Sequence, residues 1–172
     1  IKNMSLTIYR NIQQSAIEEA ESIETLLPHF VRVTDADDSP DLTDVHPKDR
    51  TDMNLNFVSV DNTIFPKTST LIKTYPQIRD AYVIAFAPQT QLYPHVDTIE
   101  LEPYAEIDWL SVYMGMFVPS TDPTKVAVKV GEEIYSHEDI IVFDTQIPHS
   151  GWNWTDEWWV SIRLAVYKSA FK

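Results

Sequence analysis

The spacing of apolar residues divides the chain into two unlike parts. Ile12, Ala16, Ile17, Ala20, Ile23, Leu26 and Leu27 recur at intervals of three and four, with Glu18, Glu19 and Glu21 among the residues between them. That period predicts an amphipathic helix, capped by Asn11 and ended by Pro28. A short strand is expected at Phe30–Val33. From Thr34 to Asn54 no period survives. The segment is rich in Asp and carries Pro40 and Pro47, so it reads as a long exposed loop. A loop of that length in a small domain favours a function, such as a lid over a site. Leu55–Val60 reads as a strand and Ser69–Tyr75 as a short helix.

From Ala81 onward the period changes to two. Candidate strands are Tyr82–Ala87, Trp109–Val118, Val126–Val130, Asp139–Phe143 and Trp159–Tyr167. Ala87-Pro88, Pro119 through Pro123, Gly131 and Pro148 through Gly151 mark turns between them. On the last strand Val160, Ile162, Leu164 and Val166 share one face, and Trp159, Ser161, Arg163 and Ala165 the other. The uniformly apolar face is expected to pack on the helices. Helices first and strands after predict a mainly β fold with N-terminal helices, a β-sandwich or jelly roll with the helices on one outer face. The length of 172 residues predicts one domain. Residues 1–80 would form its helical and loop support, and residues 81–172 its core.

Composition narrows the function. Thirteen basic against 26 acidic side chains give a formal charge of −13. Nucleic acid and anionic membrane surfaces would repel such a protein, so neither is expected as a partner. Any anionic ligand would need a local cation. The absence of cysteine excludes disulfides, Cys-ligated zinc and thiol catalysis. With no apolar run of membrane-spanning length and no basic-then-apolar leader, a cytoplasmic location is expected. Gly115, Gly131 and Gly151 are the only glycines, and they form neither a phosphate-cradling loop nor a dinucleotide fingerprint. The run from Asp35 to Asp41 has the acid density of a calcium loop. It lacks the glycine at the sixth position and the glutamate at the twelfth, and reads as a solvated loop.

Of the five histidines, His95 stands apart, because Asp97 follows it by two. On an extended strand those two side chains point to the same side. A second histidine from a neighbouring strand would complete a facial set of two imidazoles and one carboxylate, as in non-haem Fe(II) sites. His149, in the turn Pro148 to Gly151, is the best third ligand. His29, His46 and His137 lie in loops or beside charged residues and read as solvated. Arg163 on the inner face of the last strand requires a partner, since an unpaired buried charge costs several kcal/mol. Two readings fit it. With Ser161 it would hold a carboxylate of a docked acid, or it would form a structural salt bridge. Lys129 and Arg79 are the other candidate cations. Ser111 and Tyr113 share a face and would either line the site or be satisfied by backbone. Trp152, Trp154, Trp158 and Trp159 would form either a stacking platform or ordinary packing.

The ordered run Trp109-Leu-Ser-Val-Tyr-Met-Gly-Met-Phe-Val-Pro119, Val128-Lys-Val-Gly-Glu-Glu133, Asp139-Ile-Ile-Val-Phe-Asp144 and Pro148-His-Ser-Gly-Trp-Asn153 resembles the catalytic core of the aspartyl/asparaginyl β-hydroxylase family. Ala87 to Asp97 resembles the segment leading to that family's first metal histidine. The similarity spans about residues 81–167. It implies a double-stranded β-helix, a cupin-like jelly roll, that uses Fe(II), O2 and 2-oxoglutarate to hydroxylate amino acids, amino-acid residues or acyl chains. His95 matches the first metal histidine and His149 the second. Asp97 is a departure: the animal enzymes lack a carboxylate there, while the wider superfamily has one, and a complete triad implies hydroxylation rather than halogenation. Ser111 and Tyr113 stand where the family usually carries Arg and His. Trp159 stands where its co-substrate arginine usually lies, with Arg163 four residues further on the same face.

The expectation is therefore a Fe(II)/2-oxoglutarate dioxygenase acting on a small molecule or amino acid. His95, Asp97 and His149 would hold the metal, and Arg163, Ser161, Tyr113 and Ser111 would bind the co-substrate. Two alternatives are a cupin-type metal enzyme without 2-oxoglutarate and a non-catalytic β-sandwich binding module using the Trp cluster.

Overall fold

The computed structural model describes residues 4–32, 54–96, 107–136 and 140–171. The expected loop up to residue 53 with its acidic run and His46, and also Asp97, His137 and Asp139, lie outside the described residues.

The N-terminal helix α1 spans Leu6–Ala20 and is capped by Ser5, whose hydroxyl accepts from the Ile8 amide. The expected start at Asn11 was late: the buried stripe already begins at Tyr9. The helix also ends early. Glu21 adopts φ 62°, and a second short helix, α2, covers Ile23–Leu26. Tyr9, Ile12, Ala16 and Ala20 are buried along one stripe. The break at Glu21 reorients the chain, and Leu26 is fully buried. Helix α3 spans Pro66–Lys73. Its own cap residue, Phe65, offers no side-chain acceptor. Glu19 of α1 supplies one, accepting from the Lys67 amide at 2.9 Å, the Thr68 amide at 2.5 Å and the Thr68 hydroxyl at 2.6 Å. No helix among the described residues is long and apolar enough to cross a membrane.

The described strands are β1 (Val31–Arg32), β2 (Leu55–Ser59), β3 (Ile78–Phe86), β4 (Thr90–His95), β5 (Trp109–Phe117), β6 (Val126–Val130), β7 (Glu133–Tyr135), β8 (Ile141–Phe143), β9 (His149–Asn153) and β10 (Trp159–Tyr167). They form one sheet in the order β1-β2-β3-β10-β5-β8 and another in the order β4-β9-β6-β7, with every described pairing antiparallel. Counted from β3, the first sheet holds the first, eighth, third and sixth strands, and the second holds the second, seventh, fourth and fifth. This order is two interlocked Greek keys, a jelly roll. The strands β1 and β2 widen its larger sheet.

The faces of the larger sheet are sorted by alternation. Val83, Ala85, Val112, Met114, Val160, Ile162, Leu164 and Val166 pack outward against Tyr9, Ile12, Ala16, Leu26, Phe65 and Ile72 of the helical layer. Burying each such large apolar chain is worth about 1.5–3 kcal/mol. The amide of Gln13 clips α1 to the sheet by donating to the Gly115 carbonyl at 2.7 Å. The opposite face closes on the smaller sheet through Leu55, Ile84, Phe86, Val126, Val128, Ile141, Phe143 and Trp159. The polar members Ser111, Ser161 and Arg163 are buried on this same inner side.

Candidate metal and co-substrate site

His95 ends β4 and His149 opens β9, and the two are direct cross-strand partners. Both are buried, and their ring centroids lie 4.4 Å apart. Each ring is oriented in the same way. Nδ1 of His95 lies 2.8 Å from the Tyr93 carbonyl, and Nδ1 of His149 lies 2.8 Å from the Ile147 carbonyl. A carbonyl only accepts, so each Nδ1 donates. In the neutral imidazole the lone pair is then on Nε2. Backbone acceptors fixing the far nitrogen are the usual support of metal-ligating histidines.

The local cause is a repeated tripeptide. Tyr93-Pro94-His95 and Ile147-Pro148-His149 both place a proline before the histidine. Proline has no N–H to donate to the ladder, and in β4 the register shifts between Leu92 and His95. The carbonyl two residues back thereby reaches the ring. Leu27-Pro28-His29 has the same tripeptide, but it forms a 3-10 turn and His29 is exposed. The tripeptide gives this geometry only where a strand carries it. Sequence reasoning placed His149 in a turn. It is instead the first residue of a strand, in a segment whose Pro148 and Gly151 mimic turn signals.

No group of three His, Asp or Glu able to hold a metal occurs among the described residues, and Asp97 is outside them. The donor set that is described, two adjacent imidazoles with matched tautomers, fits two neighbouring positions on a first-row divalent ion.

A row of side chains leads from the histidines across the barrel. Phe143 lies 5.1 Å from the His149 ring and stacks with Tyr113 at 5.6 Å. Tyr113 pairs with Arg163 on one side of β10, and Tyr82 pairs with it on the other. Arg163 is 6% exposed. Its Nε donates to Ser111 Oγ at 3.0 Å, its Nη1 lies 3.4 Å from Asp80 Oδ1, and its guanidinium sits 4.7 Å from the centre of the Tyr82 ring. Ser111 and Tyr113 thus both face the interior, and Ser111 holds the cation. Ser161 is buried beside them, and its Oγ has no hydrogen-bond partner among the described residues.

The four-residue displacement of the arginine has a geometric meaning. β9 runs four residues from His149 to Asn153, and β10 runs back four from Trp159 to Arg163. Arg163 thereby pairs with Tyr113, whose ring stacks on Phe143, the neighbour of the His149 ring. At the level of Trp159 the barrel is filled: that indole packs on Phe86 with centroids 4.5 Å apart. Asn153 seals this end by donating to the carbonyls of Phe86, Ala87 and Glu157.

A sequence model of the aspartyl/asparaginyl beta-hydroxylase family matches residues 54–167, more than half the chain. The chain belongs to that family. Membership makes it an oxygenase-type enzyme on a jelly-roll frame. The match begins at β2, well before residue 81, where the sequence resemblance was first drawn. No curated protein matches the chain. Among solved structures it is similar to a protein described as a predicted oxalate decarboxylase from Thermotoga maritima, with 8% identity over 66% of this chain and 80% of that one and a TM-score of 0.42. It is also similar to the cupin domain of Schizosaccharomyces pombe Cnp3, with 10% identity over 67% and 66% and a TM-score of 0.43. A third is a variant of salicylate 1,2-dioxygenase from Pseudoaminobacter salicylatoxidans, with 12% identity over 68% and 27% and a TM-score of 0.41. At these identities and scores nothing about activity follows from them.

In this family member the other candidates disperse. Lys129 pairs with Ser150 and with Ile134, which is 53% exposed, so it lies on the outer face of the smaller sheet. Arg79 lies over the Trp109 ring and pairs with Asp80. The tryptophans do not converge. Trp159 is core, Trp158 packs on Phe30, Trp152 donates to the Pro123 carbonyl, and Trp154 is exposed. They form no common platform, which removes the support for a binding module built on them. The residue that sequence reasoning missed is Asp80, whose position on the inner face was hidden by its neighbour Arg79 and by its place near the start of β3.

Proposed function

We propose that this family member is a Fe(II)- and 2-oxoglutarate-dependent dioxygenase that hydroxylates a C–H bond of a small molecule, an amino acid or an amino-acid residue. The observation that carries the reading is the matched orientation of His95 and His149. Both fix Nδ1 on a backbone carbonyl and so keep the free lone pair on Nε2. Asp97, two residues beyond His95 in sequence, would complete the set of ligands. Iron bound there would activate O2 and supply the oxidising power for C–H cleavage, with 2-oxoglutarate, O2 and R–H giving succinate, CO2 and R–OH.

The chain's own residues have separate tasks. The histidines would supply two of the metal's ligands through Nε2. Arg163, held by Ser111 and linked to His149 through Tyr113 and Phe143, would take the distal carboxylate of 2-oxoglutarate. Ser161 would add a hydrogen bond that its buried hydroxyl otherwise lacks among the described residues. Phe143 and Tyr113 would keep water from the space between them. The Trp159–Phe86 contact fills the level where the family's arginine usually lies, which favours Arg163 as the replacement.

A screen of amino acids and other small molecules, following succinate with added iron and 2-oxoglutarate, tests the proposal. Succinate formation that depends on iron and 2-oxoglutarate, and that rises with one class of compound, supports it. Turnover of a compound with O2 but without 2-oxoglutarate would instead identify a cupin-type oxygenase.

A further inference from the structure

We propose that Asp80, held back by Arg79, sets how strongly Arg163 binds an anionic ligand and how well it discriminates against a ligand that lacks the distal charge. The inference rests on the reading of Arg163 as the anchor of a carboxylate. Asp80 lies between two guanidinium groups. It contacts Arg79 closely and Arg163 at 3.4 Å. The second distance exceeds the roughly 2.7–2.9 Å of a tight charge-assisted bond. Arg79 is itself fixed by lying 4.2 Å from the centre of the Trp109 ring. Asp80 is therefore drawn to the outer cation and stands beside the inner one at longer range.

Position supports the role. Asp80 pairs with Ala165, the next inward-facing residue of β10 after Arg163. Its side chain is 37% exposed while that of Arg163 is 8% exposed. The carboxylate thus stands beside the anchor on its more open side. A carboxylate arriving at Arg163 meets the attraction of that cation and the repulsion of Asp80, and Arg79 offsets part of the repulsion. One unit charge at this range in a partly solvated site changes anion affinity by about tenfold.

The test is calorimetric binding of 2-oxoglutarate and of 2-oxoglutaramate, its distal amide, to the Mn(II)-loaded protein without oxygen. Wild type, Asp80→Asn, Arg79→Met and Arg163→Met are compared. Asp80→Asn should bind 2-oxoglutarate about tenfold more tightly, and Arg79→Met should bind it more weakly by a similar factor. The distal amide should shift by less than about twofold in either variant, because it offers no second charge. A merely structural role would lower the melting temperature in both variants without opposed changes in affinity.

Unchanged or weaker binding in Asp80→Asn, or equal shifts for the two ligands, overturns the proposal. Should Asp80→Asn fail to fold, Arg79→Met decides, and unchanged or tighter binding there overturns it. Wild-type affinity in Arg163→Met means that the anchor reading itself has failed. Loss in Arg163→Met with no change in Asp80→Asn means that only the role of Asp80 has failed.

Discussion

His95 and His149 face each other across one antiparallel pair, and each is tied through Nδ1 to the carbonyl two residues before it. The match of the two rings is the strongest sign of a shared ligand. His95→Ala and His149→Ala should each weaken stoichiometric Mn(II) or Fe(II) binding by more than about a hundredfold, since loss of a supporting contact alone costs about 10–100-fold. Titration calorimetry on folded variants measures this. Wild-type affinity in either variant removes that residue from the site.

Arg163 separates anchor from strut. If it binds the distal carboxylate of 2-oxoglutarate, Arg163→Met should lose about 2–5 kcal/mol of co-substrate binding, about 30-fold to several-thousand-fold in affinity. Metal binding should survive. Folding should change less than co-substrate affinity, because Asp80 keeps its contact with Arg79. A purely structural pair gives the reverse, a fall in melting temperature with co-substrate affinity intact in the folded fraction.

Glu19 predicts an acid-dependent loss of stability. Burial alone would push its carboxyl up. The hydrogen bonds from the Thr68 hydroxyl and the Lys67 and Thr68 amides, with the charge of Lys67, outweigh burial and hold it below the ordinary 4.5. A depressed folded value adds stability above the ordinary pKa, and that stability disappears as pH falls through the folded one. Glu19→Gln should cost about 0.5–1 kcal/mol at neutral pH. The difference from wild type should vanish below the folded pKa. Thermal melts of both proteins from pH 7 to pH 3 check this, and a constant gap would contradict it.

Gly151 has a steric role at the closed end. A Cβ there would lie 3.1 Å from Phe86 Cζ and 3.4 Å from the Ala127 carbonyl oxygen. One of these neighbours is backbone, and the other belongs to a ring packed on Trp159. Gly151→Ala should therefore destabilise by about 1–3 kcal/mol in urea unfolding. A neutral result would show that Phe86 is free to shift.

The sequence by itself determined which side of each ribbon is wet and which is dry. The alternation along β10 separated Arg163 and Ser161 from Val160, Ile162, Leu164 and Val166, because a strand's period of two is a property of the local backbone. The same reasoning singled out His95 and His149 by residue type. It could not see β7, with three residues, or β9, where His149, Ser150 and Gly151 carry no apolar beat. Nor could it see the break at Glu21, since Ile23, Leu26 and Leu27 continue the three- and four-residue spacing across it. Only the tertiary structure decided which strands are neighbours. Backbone hydrogen bonds are alike for any partner strand, so a local pattern does not say that β4 lies beside β9 or that β3 lies beside β10. Those two pairings bring His95 to His149 and Asp80 to Arg163, and the chemistry of the site depends on both.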